Sequence, residues 1–185
     1  MAEDTLNSSF GSHYLDEARR QFRGHKKLAE GALAQLSDEE LFRAPDAESN
    51  SIAIMMRHIS GNQRSRFTDF LTTDGEKPDR NRDQEFENPA QSREALVKVW
   101  EKSWAVVFDS LASLTPEDLL KTVTVRGEPL TVLQAINRQV AHYAYHVGQI
   151  VFLAKHWKGS EWKSLSIPKG KSNAPEALAA EKNRP

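Results

Sequence analysis

The sequence predicts an all-α fold, a four-helix bundle with one long loop after its second long helix and a short extended arm or hairpin before its fourth. Three observations carry this. Four long segments repeat apolar residues at spacings of three and four; each of the last three begins at a capping residue; and only one short stretch changes to a period of two. Four apolar stripes in one chain bury one another most simply as a helical bundle.

The first helix runs from Phe10 to about Gln35, with Phe10, Tyr14, Leu15, Ala18, Phe22, Leu28, Ala32, Leu33 and Leu36 as its apolar positions. Ser37 followed by Glu40 is a capping-box pattern, so "LSDEEL" starts a short helical turn that ends near Pro45. The second long helix follows an Asn50 or Ser51 cap and faces the core with Ile52, Met55, Met56, Ile59, Gln63, Phe67, Phe70 and Leu71. Thr72 to Pro89 holds Gly, two prolines and many charges, and reads as a long surface loop. Ser92 caps the third long helix, whose stripe is Leu96, Val99, Trp100, Ser103, Val107, Leu111 and Leu114. "TPEDL" adds a capped turn with Pro116 at its first position. Val123 and Val125 then alternate with threonines before Arg126-Gly127-Glu128, the pattern of a small hairpin or arm. Thr131 caps a fourth long helix reaching about Trp157, with Val132, Ile136, Val140, Tyr143, Val147, Ile150, Val151 and Ala154 on its apolar face. Residues 1–170 are expected to form one bundle domain and 171–185 a loosely ordered tail.

Composition narrows the function. Lys and Arg number 25 against 26 Asp and Glu, a formal net charge of -1, which provides no broad basic face for nucleic acid and no polybasic stretch for a membrane surface. The acidic, polar beginning lacks the basic start and apolar run of an export signal, and the most apolar stretch, near "VGQIVFLAKHW", is too short to span a bilayer. With no cysteine, thiolate nucleophiles, disulfides and cysteine-based zinc sites are all excluded, which fits a cytoplasmic protein. Any transition-metal site must be built from histidine and carboxylate.

His142 and His146 stand four residues apart on the fourth helix and leave it on one face, at the flank of the apolar stripe. Either they pack, or they hold a metal. The position after His142 is Tyr143, where a zinc peptidase would need glutamate. His58, in an apolar part of the second helix, offers a third imidazole, and three histidines from two helices suit zinc, nickel or another divalent ion with one position left open. His13, His25 and His156 lie in charged or terminal surroundings and are expected to be solvated.

"MMRHISGN" around His58 and "HYAYHVGQI" around His142 and His146 together resemble the DinB superfamily of YfiT-like metalloenzymes, over roughly Phe10 to Trp157. The stretches "GNQRSRFTDFLTTDGEKPDRNRDQEF" and "VRGEPLTVLQAINRQVAHYAYHVGQIVFLAK" are similar to an uncharacterised bacterial subfamily within it. The resemblance implies a four-helix bundle, often a homodimer, with His58, His142 and His146 as metal ligands. It also implies a thiol-dependent S-transferase or related detoxification enzyme, in which the metal lowers the pKa of a low-molecular-weight thiol. Such chemistry needs no protein cysteine.

Other residues take their expected roles from that site. Asn62, one turn after His58, and Gln149, three after His146, are candidates to hold the far ring nitrogens of the ligands. Arg64, Arg66, Arg80 and Arg82, with Lys163 and Lys169, either receive an anionic small-molecule substrate or cosubstrate, or are ordinary surface charges. Tyr143 and Tyr145 either donate to a substrate or fill the core or a dimer contact. Two alternatives to the transferase stay open: a metal-dependent hydrolase, and a non-catalytic, stress-related binding bundle. No Asp or Glu lies near the three histidines in sequence to act as a general base.

Overall fold

In the computed structural model, which describes residues 2–87 and 92–173, the chain is mostly helical, with six α-helices and one two-stranded sheet among the described residues. In order these are α1 (Ala2–Leu33), α2 (Asp38–Phe42), α3 (Ile52–Phe67), α4 (Arg82–Phe86), α5 (Arg93–Ser113), β1 (Thr122–Val125), β2 (Glu128–Thr131) and α6 (Val132–Lys158). The caps fall where the sequence places them. Ser51 accepts from the Ile54 N–H, Ser92 from that of Ala95, and Thr131 and Gln134 satisfy one another's backbone N–H at the start of α6. Ser37 and Glu40 close the box on α2.

The long helices α1, α3, α5 and α6 share one core, with α3 against α5 and α6, and α1 against α6 and α5. At its centre Phe22, Phe67, Trp104 and Tyr143 meet edge to face or tilted, with ring centroids 5.6 to 6.3 Å apart. No helix is long and apolar enough to cross a membrane, among the described residues.

Four stripe positions differ from expectation, and one of them, Leu71, is exposed because α3 ends at Phe67 and the residue lies beyond it. Val99 is 45% exposed because Trp100 and Trp104 take the core face of α5, and an adjacent residue lies about 100° around the helix. Phe10 is 65% exposed because its neighbour Gly11 is the residue that meets Pro116; a Cβ on Gly11 would lie 2.7 Å from the proline Cβ. Leu28 is likewise exposed, at the edge of the stripe that Ala29 and Ala32 bury.

The larger correction concerns the connection from Thr72 to Pro89. Over its described residues, 72–87, most positions are exposed as a surface loop would have them, but Gly75 and Glu85 are buried and the short helix α4 interrupts it. The Gly75 N–H donates to the Thr124 carbonyl at 2.8 Å, and the Asp74 carboxylate accepts from the Arg126 and Gly127 N–H groups at 2.9 and 2.8 Å. These last bonds seat the connection on the two-residue hairpin turn, where Arg126 (φ 59) and Gly127 (φ 77) both adopt the left-handed conformation that a type I′ turn requires. They, with the Glu76 N–H, hold the Asp74 carboxyl far below the usual carboxylate range. From the other side Ser65 and Arg66 of α3 donate to the Gly75 carbonyl. So anchored, the segment turns through α4 and places Arg80 and Glu85 in the interior.

After α6, Lys163 and Gln35 exchange two hydrogen bonds and Leu165 packs over Gly31, so this stretch lies on α1. Of the expected loose tail, residues 174–185 lie outside the described residues.

Substitution Phe22→Ala should lower stability by about 3–5 kcal/mol by opening a cavity under Tyr143 and Trp104. Phe10→Ala should stay within about 0.5 kcal/mol. Urea unfolding of both variants measures this, and equal losses would contradict the placement of the α1 stripe.

Candidate metal centre

His58 sits in mid-α3, fixed by the apolar residues around it, and His142 and His146 lie one turn apart on the flank of α6 that faces α3. Their ring nitrogens converge. The His142 Nε2 lies 3.3 Å from the His58 Nε2 and 3.1 Å from the His146 Nε2, and one ligand atom from each residue lies within 4.8 Å of the others. Nitrogens bound at ~2.0–2.1 Å to one tetrahedral ion lie roughly 3.3 Å apart, so the spacing fits.

The opposite ring nitrogens determine which way the lone pairs point. The His58 Nδ1 lies 2.9 Å from Glu85 Oε2, and the His146 Nδ1 lies 2.8 Å from Gln149 Oε1. Both partners are acceptors, so each Nδ1 carries a proton, and in the neutral ring, the form that binds metal, each Nε2 turns a lone pair toward His142. One N–H on His142 cannot serve both. A cation among the three nitrogens satisfies all of them.

A proton is a poor substitute for that cation. Burial, followed by the fields of His146, His58, Arg66 and Arg80, pushes the His142 imidazole down to about 3. His146 is also lowered, chiefly by burial. Near neutral pH both rings are neutral, the form in which imidazole binds metal.

Glu85 is the group that the sequence did not point out. Burial alone would raise its carboxyl, but hydrogen bonds from Arg80 and His58 outweigh that and hold it below the ordinary range. Arg80 grips it with two donors, Nε to Oε1 and Nη2 to Oε2, each at 2.8 Å. The carboxylate comes close to α3 because Gly61 offers no side chain; a Cβ there would lie 2.1 Å from Glu85 Oε1. The Phe86 ring then lies against that of His58, with centroids 4.7 Å apart.

A cavity of about 240 Å³ opens beside the triad. His58, Asn62, Gln139 and His142 line it from the helices, five arginines supply the rest, and no carboxylate is among its lining residues. Arg66 and Arg82 therefore lie where an anionic ligand would meet them. Arg64 does not; it is exposed and pairs with Asp79 at 3.0 Å. Asn62 lines the cavity but accepts from the Tyr143 hydroxyl at 3.0 Å, so the residue holding the far nitrogen of His58 is Glu85. Gln149 does hold His146. Tyr143 is fully buried in the core, and Tyr145 is exposed, its ring 5.0 Å from that of His146. Lys163 and Lys169 are exposed and line no part of the cavity.

His13 and His156 are exposed, as expected, but His25 is half-buried, with an Nε2 that has no partner and a pKa lowered by burial. Gly61 was the available signal for Glu85, since glycine inside a helix beside a candidate ligand often marks a close approach. Gln139 and Arg138, three and four residues before His142 on the same helix, had that spacing as their signal, whereas nothing local marks Arg126 as a cavity residue.

The fold and site define a predominantly helical protein with a three-histidine cluster able to receive a metal ion. The chain belongs to the family described as "Protein of unknown function (DUF1572)", whose profile matches residues 9–171. No curated protein matches the sequence.

Protein freed of metal should lose stability as pH falls from about 6.5 toward 3. The unfolded chain takes up protons on His25, His142 and His146 in that window while the folded chain resists them, so stability is complete above it and declines below. Glu85, Glu76 and Asp74, all held below the usual range, stay ionised at pH 5. Urea midpoints at pH 7.5 and 5 should differ less for His142→Gln than for wild type; an identical difference would contradict the assignment.

Proposed function

We propose that this chain is a metal-dependent enzyme of the DinB/YfiT-like type, a four-helix bundle in which His58, His142 and His146 hold one divalent ion, zinc or nickel. The observation that carries the reading is the convergence of three Nε2 atoms, two of them turned inward by Glu85 and Gln149. Three ligands leave a fourth position, and the adjoining cavity gives it access from outside.

When bound, the ion lowers the pKa of a thiol or water placed on it and so supplies a nucleophile near neutral pH. The chain's own residues do the rest. Glu85 keeps the proton on His58 Nδ1, Arg80 keeps Glu85 ionised and in place, and Gln149 does for His146 what Glu85 does for His58.

Transfer to or from a low-molecular-weight thiol is favoured over hydrolysis. A hydrolase needs a base near the attacking water, but Glu85 is taken up behind His58 and no carboxylate lines the cavity. The sulfur must come from a cosubstrate, because the chain has no cysteine. A cytoplasmic homodimer is part of the proposal, and the exposed Tyr145 and Phe152, two turns apart on α6, offer it an apolar face.

Elemental mass spectrometry of untagged protein should find about one zinc or nickel ion per chain in wild type and none in His142→Ala. Glu85→Gln and Gly61→Ala keep all three ligands and should weaken metal affinity about 10–100-fold, the usual effect of losing the group behind a ligand histidine. Wild type that neither carries metal nor takes up zinc on titration would return the triad to packing and favour a non-catalytic bundle. Metal-loaded protein that fails to speed conjugation of small thiols to a chromogenic electrophile would remove the transferase reading alone.

A further inference from the structure

The cavity beside the triad carries more positive charge than its own surroundings neutralise. Arg66, Arg80, Arg82, Arg126 and Arg138 line it, and the carboxylates paired with these side chains are Glu76 and Glu85. Glu76 is shared by Arg66, Arg80 and Arg126, and Glu85 is also engaged with His58. Arg82 lies over the Phe86 ring at 5.1 Å and has no carboxylate partner among the described residues. Arg138, on the exposed side of α6, has neither an ion pair nor a hydrogen bond among them.

A second observation is independent of charge. Gln139, next to Arg138, is 4% exposed and lines the same cavity, and its side-chain oxygen is buried without a hydrogen-bond partner. Leaving such a group unpaired costs about 1–3 kcal/mol; Gln139 also lines a smaller cavity beside this one, and a ligand's hydroxyl or amino group removes the cost once the amide turns toward the larger.

We propose that this cavity binds a small substrate or cosubstrate bearing an oxyanion, a carboxylate or phosphate, with Arg138 and Arg82 as its receiving guanidiniums and Gln139 bonded to a neighbouring hydroxyl or amino group. This deepens the proposed function by naming the ligand class of the same site, and it rests on that reading only for the part the metal plays. Arg138 precedes His142 by four residues, so its backbone lies about one helical turn, roughly 6 Å, along α6 from a proposed metal ligand, and both side chains line the same cavity. At about 240 Å³ the cavity falls below the ~300–1,000 Å³ typical of drug-sized ligands, which fits a small metabolite. A planar guanidinium receives two oxygens of one carboxylate or phosphate side by side, and two such groups with no carboxylate of their own are poised to do so.

The test is ligand-observed NMR titration with three probes: malate, glycerol 3-phosphate and the neutral diamide of malate. It is run at low ionic strength on the protein as purified and, in parallel, after chelator treatment. At least one of the two anions should bind in both preparations, and the diamide at least tenfold more weakly. Arg138→Gln, at an exposed position, should weaken anion binding about tenfold or more while leaving metal content unchanged. Arg64→Gln, outside the cavity on α3, should leave binding as in wild type. Preference for malate or for the phosphate identifies which oxyanion the site takes. Equal binding of the diamide, no binding of either anion, or an unaltered affinity in Arg138→Gln would overturn the proposal. Because the chelator-treated arm does not depend on the ion, absence of metal uptake with intact anion binding would defeat the metal reading alone. Full metal uptake without anion binding would defeat this one alone.

Discussion

The site depends on one chain of buried charge, from Arg80 through Glu85 to His58. All three side chains are almost wholly withdrawn from water, and each is tolerable there only because the next one is present. A buried ion pair contributes little net stability, because removing both ions from water costs several kcal/mol. Breaking one is another matter, at about 3–5 kcal/mol for the charge left alone. The chain therefore serves specificity more than stability. It permits one position for the segment that carries Arg80 and Glu85, and one tautomer for His58.

That requirement reaches into the rest of the fold. Glu85 comes near His58 only because α3 has a glycine at 61 and because Asp74 and Gly75 fasten the connecting segment to the hairpin. The hairpin is in turn continuous with α6, whose cap is Thr131 at the end of β2. The element that positions Glu85 is thus tied to both helices that carry the histidines. Deeper in the core, the Tyr143 hydroxyl bonds Asn62 across the α3 and α6 contact, one residue from His142 on one side and one turn from His58 on the other. This bond and the aromatic cluster beneath it fix the rotation of the two helices, which sets whether three imidazoles meet.

The parts legible in sequence were those with local causes. Ser51, Ser92 and Thr131 cap helices through their own neighbours, the valines of β1 alternate within four residues, and His142 and His146 share a face because of helical geometry. His58 joined them as a histidine in an apolar stretch of the second helix, and the resemblance of motifs then implied the set of three. The polar connection after α3 reads as surface, which holds for most of residues 72–87, while the burial of Gly75 and Glu85 is decided by partners far away in the chain. Arg80 and Glu85 are five apart within a charged stretch that looks solvated, and only the three-dimensional contact with Gly61 and His58 turns them into interior groups. The same limit applies to Val99 and Phe10, where the apolar spacing was right but a bulkier or closer-packing neighbour occupied the core face.

Global charge and local field also part company here. A formal net charge of -1 argues against broad attraction to nucleic acid, since such binding needs many cations spread along a face. It places no limit on a small cavity, where a few guanidiniums beside low-dielectric walls act on one ion at short range. The acidic residues that balance the total lie largely elsewhere, at exposed positions such as Asp16, Asp38, Asp79 and Glu101, where water and salt screen them. Behind the cavity wall, Glu76 and Glu85 are already committed to three arginines and a histidine. Averaging over the chain hides this separation. The cavity's field includes Arg82 and Arg138, which have no carboxylate partner among the described residues, and under the proposed function an ion held by the three histidines would add to it. All of these are positive. Under the proposed function they would favour an anion over a neutral isostere at the same position.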